Sequence, residues 1–193
     1  MAETMEFLPR TQVLTIEELV RTARLFTELG VRKIRVTGGE PLIRRGVDEL
    51  FTGLGNLPDL ETLALTTNGS QLAAQAPQLR DAGVKSVNIS LDSLDPSRFR
   101  AITRIGHLDA VMRGIDAAIA AGFERIRLNA VILEGLNRDE VLSLTRFAID
   151  KNIHIAFIEE MPLGQVNVEA NRSPTYHRTS SKRNSSNILS YRR

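Results

Sequence analysis

The chain contains no cysteine. That excludes disulfides and removes the thiolates that hold iron–sulfur clusters and many structural zinc ions. Only three histidines, His107, His154 and His177, stand in 193 residues, too few and too scattered for the roughly four N/S ligands of a structural metal site. No apolar run approaches the roughly 18 residues of a membrane span. The start, Met-Ala-Glu-Thr-Met-Glu, has neither the basic opening nor the apolar stretch of a signal peptide. The expectation is a cytoplasmic protein that does not engage a membrane. A basic footprint for nucleic acid is missing as well. Residues 172–193 hold six Lys or Arg and no acid, and without them 19 basic residues face 23 acidic ones, so the +2 of the whole becomes about −4 for the body.

What is present is an ordinary globular mix, 42% hydrophobic and 25% charged, long enough for one domain with a proper core. From Thr15 onward, helical and strand patterns alternate. Thr15-Ile-Glu-Glu18 reads as a capping box. Ile16, Leu19, Val20, Ala23, Phe26 and Leu29 follow at helical spacing, and Gly30 stands where that helix stops. Strands are expected over 33–37, 62–67, 86–91, 125–133 and 153–158. Helices are expected near 47–54, 71–82, 95 onward, 108–121, and from a second capping box at Asn137-Arg-Asp-Glu140 to about Lys151. One joint recurs three times: Gly30-Val-Arg-Lys-Ile-Arg-Val, Gly83-Val-Lys-Ser-Val-Asn-Ile and Gly122-Phe-Glu-Arg-Ile-Arg-Leu. Each glycine fits a helix C-cap before a short loop into a parallel strand, and repeated units of this kind build a parallel α/β sheet or barrel.

The strands are apolar on one side only. Ile34 and Val36 oppose Lys33, Arg35 and Thr37. Leu63 and Leu65 oppose Thr62, Ala64 and Thr66. Val87, Ile89 and Leu91 oppose Asn88, Ser90 and Asp92, and Ile126 and Leu128 oppose Arg125, Arg127 and Asn129. With a side-chain period of two, the apolar faces belong under helices and the polar faces line a lumen. A solvent-facing sheet of an α+β domain is the competing arrangement. Arginines in such a lumen suit carboxylate or phosphate. At the strand ends stand Thr37-Gly38-Gly39-Glu40-Pro41, Thr66-Thr67-Asn68-Gly69, Ser90-Leu-Asp92-Ser93 and Phe157-Ile-Glu-Glu-Met161-Pro162, where parallel α/β folds place their sites. Two glycines let a backbone approach a ligand closely, and Glu40 could accept from an ammonium.

Taken in order, these runs resemble the radical-SAM GTP 3′,8-cyclase family of molybdenum cofactor biosynthesis. The resemblance rests on Lys33-Ile-Arg-Val-Thr-Gly-Gly-Glu-Pro-Leu-Ile-Arg, Leu65-Thr-Thr-Asn-Gly, Val87-Asn-Ile-Ser-Leu-Asp-Ser-Leu, Arg127-Leu-Asn-Ala-Val-Ile and Phe157-Ile-Glu-Glu-Met-Pro. It implies an α/β fold, a partial TIM-like (βα)6 radical-SAM barrel lacking its first strand. It places Gly39, Ser90 and Met161 at S-adenosylmethionine (SAM), and Arg35, Thr66 and Arg127 at GTP. It implies a lyase that cyclises GTP to 3′,8-cyclo-7,8-dihydro-GTP with SAM and [4Fe–4S] clusters. The product would go to cyclic pyranopterin monophosphate synthase, and the enzyme could be a homodimer. No nucleic acid or membrane partner is implied.

The likeness runs from about Met5 to Gly164, which sets a barrel domain at 1–164 and a basic tail at 165–193, expected to be disordered from its composition. The chain departs from the family in three ways. The cluster cysteines are absent, the first strand and the C-terminal cluster region have no counterpart, and Ala156 stands where the family has arginine. The chain therefore reads as a catalytically incomplete fragment truncated at both ends. A non-catalytic GTP- or SAM-binding or partner module, or another radical-SAM enzyme, are the alternatives.

Overall fold

The helix-to-strand joints set the architecture. The computed structural model describes residues 12–159, which belong to one compact unit. The expected boundary at 164 and the expected disordered tail lie outside the described residues. Helix α1 (Ile16–Glu28) opens on the expected capping box: the Glu18 amide donates to Thr15 Oγ1 at 3.2 Å and the Thr15 amide donates to Glu18 Oε2 at 2.8 Å. It ends at Gly30, whose φ of +98° carries the chain into strand β1 (Lys33–Val36). Helix α2 (Val47–Gly55), strand β2 (Thr62–Thr67), helix α3 (Leu72–Asp81) and strand β3 (Val84–Ser90) follow. Then come α4 (Pro96–Thr103), α5 (Leu108–Ala120), β4 (Arg125–Ile132), α6 (Val141–Asp150) and β5 (His154–Glu159).

Gly83 and Gly122 repeat the joint with φ of +88° and +71°. A fourth joint, at the end of α6, uses Asn152 with φ of +52°, the residue that best tolerates the left-handed region after glycine. At the first and fourth joints the same pair of carbonyl captures closes the helix. The Gly30 amide donates to Thr27 O and the Val31 amide to Phe26 O; the Asn152 amide donates to Ile149 O and the Ile153 amide to Ala148 O. Helix α4 starts on Asp95, whose side chain accepts from the Arg98 amide at 2.8 Å, with Pro96 at the first helical position.

The five strands form one parallel sheet in the order β1-β2-β3-β4-β5. Strands that pair in chain order through right-handed crossovers place every crossover helix on the same face, whereas a doubly wound sheet needs a reversal of strand order to use both faces. The core obeys this. Leu63, Leu65, Val87, Ile89 and Leu128 of the strands form one buried cluster with Phe51, Leu54, Leu72, Ile115 and Leu144 of the helices. This is barrel-type winding with the sheet open: β1 and β5 are both edges among the described residues.

One expectation fails here. Asn137 and Glu140 do not form a capping box; Arg138–Glu140 is a short 3-10 turn ahead of α6 and Asn137 makes no side-chain cap. Both side chains are buried and serve longer-range partners. Asn137 Nδ2 donates to Asp92 O at 2.6 Å and Val131 O at 2.8 Å, and its Oδ1 accepts from the Leu133 amide at 2.7 Å. Glu140 accepts from Ser93 Oγ and the Leu94 amide, each at 2.8 Å, and from Arg98 at 3.3 Å. The five polar groups at the ends of β3 and β4 that these two side chains satisfy outweigh one helix amide that water can reach.

Helices α3 and α5 approach closely at Gly114, where a Cβ would lie 2.4 Å from Gly69 O and 3.2 Å from Leu72 Cβ. Gly114→Ala is expected to destabilise the fold by roughly 1–3 kcal/mol through overpacking, although alanine is the better helix former by about 1 kcal/mol. Urea denaturation measures it, and an unchanged or raised midpoint would show that the two helices have room to spare.

Candidate functional site

The polar face of the sheet is assembled by register. Parallel partners point to the same side, so the pairs Thr66↔Asn88, Asn88↔Arg127 and Arg127↔His154 make one row across four strands. A row toward the N-terminal ends reads Arg35, Ala64, Ser86, Arg125, and a row toward the C-terminal ends reads Ser90, Asn129, Ala156. Rows two residues apart on a strand are separated by about 6.6 Å. The face assignments made for the first four strands therefore hold. His154 joins them without having been foreseen, because its place depends on the β4–β5 register, which the short last strand does not betray.

Arg35 leans up from its own row. Its Nη1 lies 3.2 Å from Leu65 O and 3.2 Å from Thr66 Oγ1, donating to both. Burial, and then the positive charge of Arg127, hold the Arg35 guanidinium below its ordinary value. The two arginines thus feel each other across the face. Among the described residues neither lies within 4.0 Å of a carboxylate oxygen, so neither is an ion-pair partner of Asp92. Arg35 is exposed and Arg127 half-buried, and two guanidiniums on one sheet face without a described carboxylate partner favour an anion there. Asp92 lies one step past Ser90. Its Oδ1 accepts from the Val131 amide at 2.7 Å, and burial raises its pKa above the usual aspartate value against that bond.

Of the six residues singled out, Arg35, Thr66 and Arg127 come together in the deeper tiers, while Ser90 and Gly39 stand at the C-terminal ends of β3 and β1. Met161 lies outside the described residues. Gly38 and Gly39 have negative φ, and a Cβ on either would meet nothing within 4 Å. Neither a left-handed turn nor internal crowding accounts for them, which favours the ligand reading of this loop over that of a plain tight turn. Glu40 has protein partners that its sequence context does not show. Its carboxylate is already engaged: Oε1 accepts from the Leu42 amide at 3.0 Å and from Thr67 Oγ1 at 2.8 Å, and Oε2 accepts from the Asn68 amide at 2.6 Å. Ala156 faces the same side beside Asn129.

Residues 2–148 match the family model described as Radical SAM superfamily. The chain is 61% identical over 173 residues to GTP 3′,8-cyclase 1 of Pseudomonas aeruginosa, covering 90% of this chain and 53% of that protein. It is 60% identical over 166 residues to the GTP 3′,8-cyclase of Pseudomonas entomophila, covering 86% and 50%. The chain spans about half the length of the curated relatives it matches. Among solved structures, Streptococcus suis SuiB bound to S-adenosylmethionine matches with a TM-score of 0.63 at 21% identity, over 76% of this chain and 34% of that one, a likeness of fold.

The raised pKa of Asp92 has a checkable sign. Its proton is held more tightly in the folded state, so ionisation lowers stability as pH rises from the unfolded value through the folded one. Asp92→Asn keeps an acceptor for the Val131 amide and removes the charge. The variant is expected to melt at or above wild type at about pH 7 and to lose that advantage by about pH 3. An asparagine variant that melts well below wild type at neutral pH would contradict the assignment.

Proposed function

Because the chain belongs to the radical SAM superfamily, we propose that it is the SAM- and GTP-binding part of a GTP 3′,8-cyclase, the activity named for its relatives. The observation that carries this reading is that Arg35 and Arg127 share one sheet face with no described carboxylate within 4.0 Å of either. A triphosphate supplies the polyanion such a pair calls for, and it favours GTP over an uncharged peptide. Thr66 Oγ1, held by Arg35, adds a hydroxyl at the same height.

Gly39 and Ser90 are the residues this reading assigns to SAM, with Met161 as a third. The open backbone at Gly38 and Gly39 fits the approach of a ligand amino group, and Ser90 fits a carboxylate end at the tip of β3, two strands along. SAM, when bound in a complete enzyme, supplies the radical chemistry. The residues of this chain do not fit the cluster that would reduce it, because clusters require thiolates and the chain has no cysteine. The chain's own contribution is to bind and orient the two ligands in one lumen and to hold them at different heights. Catalysis then depends on cysteines outside these 193 residues, and alone the chain acts as a binding module. The same reading places it in the cytoplasm at the first step of molybdenum cofactor biosynthesis, ahead of cyclic pyranopterin monophosphate synthase, and allows a homodimer. Among the described residues no helix is long and apolar enough to cross a membrane.

Titration calorimetry tests the reading. The chain is expected to bind GTP in a salt-sensitive manner and guanosine far more weakly. Arg35→Ala and Arg127→Ala should each weaken GTP by about tenfold, the effect of losing one charge-assisted contact. Incubation with iron and sulfide should leave no cluster on the purified chain. Equal affinity for GTP and guanosine would remove the case for a triphosphate site.

A further inference from the structure

We infer that Glu40 is a positioning residue that clamps the Gly38-Gly39 loop onto the end of β2, and does not itself contact the ligand. The inference rests on the reading of Gly39 as a SAM contact. One half-buried carboxylate accepts three hydrogen bonds, from the Leu42 amide on its own loop and from Thr67 Oγ1 and the Asn68 amide on the next strand's tip. Three of the roughly four acceptor positions of the carboxylate are thereby taken by the protein, both on Oε1 and one on Oε2.

The clamp has a second layer. Thr67 Oγ1, which donates to Glu40, accepts from the Gly69 amide at 3.0 Å, and Thr67 is 2% exposed. The carboxylate, the hydroxyl and the Thr67-Asn68-Gly69 turn form a closed chain of donors and acceptors. That chain joins the loop after β1 to the loop after β2. Gly38 and Gly39 have the freest backbone on this rim, with no side chain to pack and no neighbour within 4 Å of where a Cβ would stand. Their conformation is held from one side by β1 and from the other by Glu40. Charge-assisted bonds to backbone N–H groups are the strong class, so the grip falls on the residue next to the proposed contact.

The test uses SAM as titrant with the wild-type chain and four variants. Glu40→Gln sets an amide group where the carboxylate accepted, and cannot satisfy Thr67 and both backbone amides together. Thr67→Val removes the hydroxyl without touching Glu40, and Thr67→Ser restores it. Glu40→Gln and Thr67→Val are each expected to weaken SAM binding by about tenfold, the loss of one charged hydrogen bond. Their combination should be no worse than the more severe single variant, because both break one clamp. Thr67→Ser should bind within about twofold of wild type. Amide exchange at Leu42 and Asn68 should accelerate in Glu40→Gln while far-UV circular dichroism stays unchanged. If Glu40→Gln weakens SAM but Thr67→Val leaves it untouched, the carboxylate meets the ligand directly and the clamp is overturned. Additive losses in the double variant would overturn it as well. A wild-type chain that binds no SAM would instead overturn the assignment of Gly39, and this inference with it.

Discussion

Strands that pair in chain order through right-handed crossovers leave one face of the sheet to the helices and none to the other. Everything else in this molecule follows from that one-sidedness. The covered face must be apolar, and Leu63, Leu65, Val87, Ile89 and Leu128 make it so. The uncovered face carries arginine, asparagine and serine, because those groups need not be desolvated against a helix. A doubly wound sheet of the same length would have to bury Arg35 and Arg127 under helices, at a desolvation penalty of several kcal/mol per ion.

Holding such a face open needs stiffness at the strand tips, where no second layer supports the loops. Two polar brackets supply it. Glu40 ties the loop after β1 to the tip of β2, and Asn137 with Glu140 ties the loops after β3 and β4 to the start of α6. In both cases an acceptor or amide carried by a loop satisfies backbone groups from another part of the chain, so the rim is cross-linked by hydrogen bonds. No buried side-chain polar atom among the described residues is left without a partner, which is the condition for such brackets to rigidify a structure.

The elements were legible from local signals. Alternation with period two marked the strands and their faces, and the three glycine joints marked the helix ends. The shared lumen side of Arg35, Thr66, Ser90 and Arg127 followed from parity alone. The signals that misled were local patterns with distant partners. Asn137-Arg-Asp-Glu140 has the spacing of a capping box, yet Asn137 bonds Asp92 O, 45 residues away. The partners of Glu40 escaped for the same reason, since Thr67 and Asn68 come beside it only in the fold. His154 escaped because parity on the last strand is uninformative without its register to β4, and Asn152 because asparagine in a glycine's place breaks the repeat only in name.

The alternation of the strands has an evolutionary corollary. Asn88, Ser90 and Arg127 each sit between two buried residues that point to the opposite side of the sheet: Arg127 lies between Ile126 and Leu128. Changes in what the cavity recognises are therefore nearly orthogonal to changes in what keeps the domain folded. Ala156, beside Asn129 on the lumen face, is a position at which such drift has room to occur. A scaffold of this kind can explore new ligands one side chain at a time without first acquiring a reserve of stability.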